Sequence, residues 1–126
     1  MPSAPITALT PMLRTWELQA SIRFYTQVLG FHCDALDEDQ GWAALSWGSA
    51  SLMLSGPNAH EGDKQPAFTG SLYLRTDDVD ALWRQVKEAA RVCYHLENFG
   101  YGMREFAIYD NNGYLLQFGQ ALDPAA

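Results

Sequence analysis

The first half of this 126-residue chain is repeated in the second. Met12-Leu13-Arg14-Thr15-Trp16-Glu17-Leu18-Gln19-Ala20 resembles Tyr73-Leu74-Arg75-Thr76-Asp77-Asp78-Val79-Asp80-Ala81. At an offset of 61 (74 − 13), Leu13, Arg14, Thr15, Ala20 and Arg23 meet Leu74, Arg75, Thr76, Ala81 and Arg84 identically. Glu17 meets Asp78, Leu18 meets Val79, Phe31 meets Val92, and Gly41 meets Gly102. Such self-similarity means that one supersecondary unit of about sixty residues has been duplicated. The expected organisation is one domain over 1–126, with module one about 8–56, a linker about 57–69 and module two about 70–120. The linker is rich in Gly, Pro, Asn, Asp and Lys.

Each half reads as a strand, a helix and then further strands. Leu9–Thr15 is extended, and Pro11 suits an edge strand. Leu18, Ile22, Tyr25 and Leu29 recur at helical spacing behind the acidic Glu17, and Gly30 ends that helix. In the second half Ser71–Arg75 is the strand, Asp77 or Asp78 the helix cap, and Val79, Leu82, Trp83 and Val86 the apolar stripe. Arg84, Lys87 and Arg91 lie mostly off that stripe, as a solvated face.

A hairpin follows each helix. Trp42–Trp47 and Ala50–Leu54 flank Gly48-Ser49; a two-residue turn there pairs Trp47 with Ala50, Ala44 with Met53, and Trp42 with Ser55. Met103–Tyr109 and Tyr114–Gly119 flank Asp110-Asn111-Asn112-Gly113. One face of each hairpin is uniformly apolar: Ala43, Leu45, Trp47, Leu52 and Leu54, then Phe106, Ile108, Leu116 and Phe118. These faces are expected against the helices. The opposite faces mix Trp42, Ala44, Ser46, Ser51 and Met53 with Met103, Glu105, Ala107, Leu115 and Gln117. Such a face lines a polar cavity or lies open to solvent. His95–Gly102, with Phe99 and Tyr101 between glycines, reads as a loop: a lid over that cavity or a packed connection.

Charge limits the partners. Eight basic against fifteen acidic residues give a net charge of -7, which disfavours nucleic acid and anionic membrane. No apolar run approaches the ~20 residues of a membrane span, and Met1–Arg14 has no secretory-signal pattern. A cytoplasmic protein with two reduced thiols is the expectation. Cys33 and Cys93 each follow a helix near a strand start, where a core thiol is expected rather than a nucleophile. Gly100-Tyr101-Gly102 lacks the rest of a dinucleotide loop, and neither GxSxG nor a phosphate loop occurs.

Ser21-Ile22-Arg23-Phe24-Tyr25 with Val28-Leu29-Gly30-Phe31, then Gly102-Met103-Arg104-Glu105-Phe106 and Asp110-Asn111-Asn112-Gly113-Tyr114-Leu115-Leu116-Gln117-Phe118, together resemble the vicinal oxygen chelate superfamily. That group includes glyoxalase I, extradiol dioxygenases and bleomycin-resistance proteins. The resemblance spans about Leu9–Gly119. It implies an α+β fold of two tandem βαβββ modules, sheets curled around a cavity and helices outside, usually as a homodimer. In metal-dependent members each module supplies one ligand from its first strand and one from its last. The matching positions here are Thr10 and Ser71, then Met53 and Gln117. None is the His or Glu such a site uses. Hydroxyls, an amide and a thioether do not replace imidazole or carboxylate around a hard or borderline divalent ion. His32, His60 and His95 fall elsewhere and read as ordinary surface or satisfied histidines. No metal and no cofactor are expected, which removes glyoxalase and ring-cleaving chemistry.

Metal-free bleomycin-resistance proteins are the members this chain resembles most. The implied function is sequestration of a small molecule, cationic or aromatic, in a homodimer. The expected lining is Thr10, Met12, Trp42, Met53, Ser71, Tyr73, Arg75, Met103, Glu105 and Gln117. Trp42 and Tyr73 would stack on the ligand, and Glu105 with Gln117 would anchor it. Arg14 and Arg75 would neutralise Glu105, bind an anion or form strand-end ion pairs. The alternative is a metal-independent lyase or isomerase using Glu105 as acid or base, its pKa raised by burial beside Met53 and Met103. A third reading is an interaction module with a vestigial cavity.

Overall fold

A computed structural model describes residues 7–57 and 65–123. It contains two mixed four-stranded sheets, one per module. Module one comprises β1 (Met12–Arg14), α1 (Leu18–Arg23, continuing as a π-helix over Phe24–Leu29), β2 (His32–Asp37), β3 (Trp42–Trp47) and β4 (Ala50–Ser55). Module two comprises β5 (Leu72–Arg75), α2 (Val79–Val86), β6 (Arg91–Phe99), β7 (Met103–Tyr109) and β8 (Leu115–Ala121). The strand orders, β1-β4-β3-β2 and β5-β8-β7-β6, are the same order twice. β1 runs parallel to β4 and β5 to β8; every other pair is antiparallel.

The repeated Leu-Arg-Thr has a structural reason. In each copy the Thr amide donates to the last strand of its module, Thr15 to Ser55 and Thr76 to Gly119, both at 3.0 Å. Each Thr hydroxyl then accepts the amide two residues on, from Glu17 (3.1 Å) and Asp78 (3.2 Å). This turns the edge strand into the helix. Asp78 caps α2 by accepting from the Ala81 amide at 3.0 Å. Glu17 makes no such bond.

The first hairpin has the expected register: Trp47 opposite Ala50, Ala44 opposite Met53, Trp42 opposite Ser55. The apolar faces form the core with Tyr25, Leu29, Val79, Leu82 and Val86, while Trp47 at the turn stays 39% exposed. Three expectations need correction. β1 is only three residues long, because Pro11 cannot donate to the ladder. His95–Phe99 is the second half of the long strand β6 and not a loop. Only Phe99–Gly102 turns, closed by the Gly102 amide on the Phe99 carbonyl at 3.1 Å. Only one thiol reaches the core: Cys33 is half-buried and packs against it, whereas Cys93 is exposed.

The modules are joined at a polar seam. Tyr25 donates to Asp110 at 2.7 Å, and Tyr114 donates to the Arg14 carbonyl at 2.8 Å. The Ser21 hydroxyl accepts from Asn111 (3.0 Å) and Asn112 (3.1 Å), so the β7–β8 turn sits on α1. Gln85 of α2 donates to the carbonyls of Val28 and Leu29. Among the described residues, no helix is long and apolar enough to cross a membrane.

Candidate functional site

Strand register sets the mixed faces out in rows. In module two one row reads Tyr73, Gln117, Ala107, Tyr94, and the next Arg75, Gly119, Glu105, Glu97. In module one the corresponding rows read Met12, Met53, Ala44, Ala35 and Arg14, Ser55, Trp42, Asp37. Glu105 therefore occupies the place that Trp42 takes in the first copy. Tyr73 and Gln117 occupy the places of Met12 and Met53. The duplicated scaffold carries two different chemistries: an apolar patch of two thioethers and an indole, and a polar patch around a carboxylate.

The polar patch is fully connected. Tyr73 donates to one Glu105 carboxylate oxygen at 2.7 Å, and Tyr94 donates to the other. Gln117 donates its amide to the Tyr94 hydroxyl at 2.9 Å and accepts from the Ser71 hydroxyl at 2.6 Å. Tyr101, 65% exposed, lies close enough to Glu105 to favour its ionised form. Gly119 is what lets Tyr73 reach across β8: a Cβ there would lie 2.0 Å from the Tyr73 hydroxyl oxygen and 3.1 Å from the Met103 methyl. Phe99 stacks on Tyr101 and meets the Tyr94 ring edge-on, each at 5.5 Å between centroids, so the turn aromatics brace the phenols.

Glu105 is 1% exposed. Burial alone pushes its carboxyl up, but Tyr94, Tyr73 and Tyr101 donate to the ionised form and hold it below the usual carboxylate range. Burial and the same carboxylate push the Tyr73 phenol up to about 12, and Tyr94 higher still. Glu105 thus carries a stable negative charge. This is opposite to the expected raised pKa. A carboxylate already accepting hydrogen bonds from two phenols is a weak base, and those phenols are weak acids.

Of the ten expected lining residues, the structure gathers Ser71, Tyr73, Glu105 and Gln117 into this network, with Met103 beside Tyr73. Met12 and Met53 are register neighbours on the other sheet, with Trp42 in the next row on the same face. Thr10 bonds to Ser51 at 2.9 Å on the exposed edge. No described hydrogen bond joins the two patches. Arg75 is exposed and Arg14 buried. The sequence alone points to Tyr101 only as part of an aromatic lid or packed connection, and to neither Tyr94 nor Gly119. Tyr94 was hidden because β6 bulges between Val92 and Tyr94 and again between Tyr94 and Glu97, so simple alternation does not give its partner.

The four family-type ligand positions do not fit a divalent ion. The Ser71 hydroxyl and Gln117 carbonyl are spent on each other, Thr10 on Ser51, and Met53 offers only sulfur. No group of three or more His, Cys, Asp or Glu able to hold a metal occurs among the described residues. His32 and His95 are exposed, and His60 lies outside the described residues.

A family model described as the Glyoxalase/Bleomycin resistance protein/Dioxygenase superfamily matches residues 7–118. No curated protein matches the chain in sequence. Several solved structures share its fold. A protein of unknown function from Agrobacterium tumefaciens str. C58 superposes with a TM-score of 0.77 at 19% identity, covering 95% of this chain and 98% of that one. A glyoxalase/bleomycin resistance protein/dioxygenase from Nocardioides gives 0.76 at 15% identity, with 97% and 88% covered. TioX from Micromonospora sp. ML1 gives 0.74 at 17%, with 92% and 99% covered.

Proposed function

Since the chain belongs to the glyoxalase/bleomycin resistance protein/dioxygenase superfamily, we propose that it is a binding member without the superfamily's metal site, one that sequesters a small cationic or aromatic molecule. The observation that carries this is the buried, ionised Glu105 held at the hydroxyl ends of Tyr73 and Tyr94, with Tyr101 close by. A negative charge beside aromatic rings favours a cation stacked on them, through cation–π attraction and the field of the carboxylate. The chain's net charge of -7 acts in the same direction. Met12 (49% exposed) and Tyr73 (42% exposed) leave both patches open in the single chain. A homodimer that lays the thioether–indole patch of one copy over the phenol patch of the other would close a site with both chemistries.

The test is calorimetric titration with metal-free bleomycin, a bulky cationic aromatic probe, on the wild type and on Glu105→Gln. Binding weakened about tenfold or more by the loss of charge supports the reading. Equal affinity for both proteins, or no saturable binding of bleomycin or of a panel of smaller aromatic cations, sinks it.

A further inference from the structure

A concavity lies beside the edge strand β5, where the two modules meet. A cleft of about 480 Å³ opens between the β3–β4 turn of module one and β5, α2 and β8 of module two. That is within the size range of small-molecule sites, which favour junctions between structural units. Its wall is apolar: Trp47, Leu74, Leu82 and Phe118. Leu82 and Phe118 belong to the rigid core. Trp47 is held in place by the Phe31 ring at 5.4 Å, edge to face, while 39% of its surface stays exposed. The indole is therefore positioned before any ligand arrives.

The cleft's polar side has one charge. Arg75 is its only charged lining residue, and it has no ion-pair partner among the described residues. Ser49, in the turn opposite, adds a hydroxyl. Tyr73 also borders the cleft, but its hydroxyl is committed to Glu105. The repeat shows that this arginine is a feature of the second copy: its counterpart Arg14 is buried, with its carbonyl under Tyr114.

We infer that this inter-module cleft is a separate binding site for an amphipathic organic anion, a flat apolar body bearing one carboxylate or sulfonate. The apolar body packs on Trp47, Leu82 and Phe118. The anionic group meets the Arg75 guanidinium, whose planar fork suits two oxygens at once. The site is opposite in charge to the Glu105 patch, and Tyr73 borders both.

The test uses two fluorescent probes of similar shape, anilinonaphthalene sulfonate and uncharged N-phenylnaphthylamine, titrated into the folded protein. Arg75 is exposed, so Arg75→Gln is expected to melt where the wild type does. It should bind the sulfonate about tenfold or more weakly and leave the uncharged probe unaffected. Arg75→Lys should recover part of the loss, and Ser49→Trp, which fills the mouth from an exposed turn, should reduce binding of both probes. Sulfonate affinity unchanged in Arg75→Gln overturns the assignment of the anion. Both probes binding normally to Ser49→Trp overturns the assignment of the cleft.

Discussion

Glu105 shows how one residue's chemistry is decided by three neighbours. Buried alone, a carboxyl would protonate; ringed by Tyr94, Tyr73 and Tyr101 it stays ionised. Its folded pKa lies below its ordinary 4.5, so its stabilising contribution is complete above that value and is lost as pH falls through the lowered pKa. Thermal melts from pH 6 down to about 3 should show the wild type losing stability over that window. Glu105→Gln should start less stable and lose less there; identical pH profiles would contradict the hydrogen-bonded carboxylate. Gly119 makes the companion case. Its backbone φ is not in the left-handed region, so alanine there is disfavoured by contact, chiefly with the Tyr73 phenol and secondarily with the Met103 methyl. In Gly119→Ala, Tyr73 should leave Glu105, and its ionisation should fall from about 12 toward ~10 in a spectrophotometric titration. The accompanying loss of stability should be about 1–2 kcal/mol.

Elements carry the join between the modules. The π-helical stretch after α1 buries Tyr25 and Leu29 four residues apart and ends at Gly30, whose φ of 111° is left-handed. It aims the Tyr25 hydroxyl at Asp110, whose other oxygen accepts the amides of Asn112 (2.8 Å) and Tyr114 (2.9 Å). Burial pushes the Asp110 carboxyl up despite these bonds, the opposite of Glu105. A raised folded pKa favours the protonated form, so this group makes the fold less stable as pH rises from 3.8 through that raised pKa. Tyr25→Phe takes away a donor and leaves a buried carboxylate oxygen short of a partner. Denaturant unfolding should show a loss of about 1–3 kcal/mol. A loss under half a kilocalorie would mean that the seam contributes little to stability. The spacing of Leu18, Ile22, Tyr25 and Leu29 predicts this helix and its glycine stop, yet not its π-helical winding. One extra residue per turn leaves the buried spacing almost unchanged, so periodicity does not register it.

At the scale of the whole molecule, the open patches predict association. Light scattering after size-exclusion chromatography should give twice the 14.1 kDa chain mass. A monomer at micromolar concentration would leave each patch open and would remove the shared site proposed for the two copies. The donor set makes a second prediction. Zn, Mn, Ni and Fe(II) should neither co-purify stoichiometrically nor raise the melting temperature, since only an ion bound to the folded state can do so. A shift with any of them would mean that other residues than Thr10, Met53, Ser71 and Gln117 supply ligands.

The α+β class with βαβββ modules came from the family resemblance; the repeat, the period-two hairpins and the turn glycines were enough to determine two copies of a strand–helix–strands unit and the first hairpin's register. These are local properties: a pattern of apolar residues and backbone freedom acts within a few residues of itself. The unsuitability of the four ligand positions for a metal was equally legible, because it depends on which atoms the side chains carry. The Glu105 network was not. It joins β5, β6, β7 and β8, and it depends on two bulges in β6 and a missing side chain at Gly119. The sign of the Glu105 shift also required the tertiary structure, because burial and hydrogen bonding push it in opposite directions and only the number of donors decides between them. The cleft beside Arg75 arises from the packing of one module on the other, a relation that no stretch of either module contains.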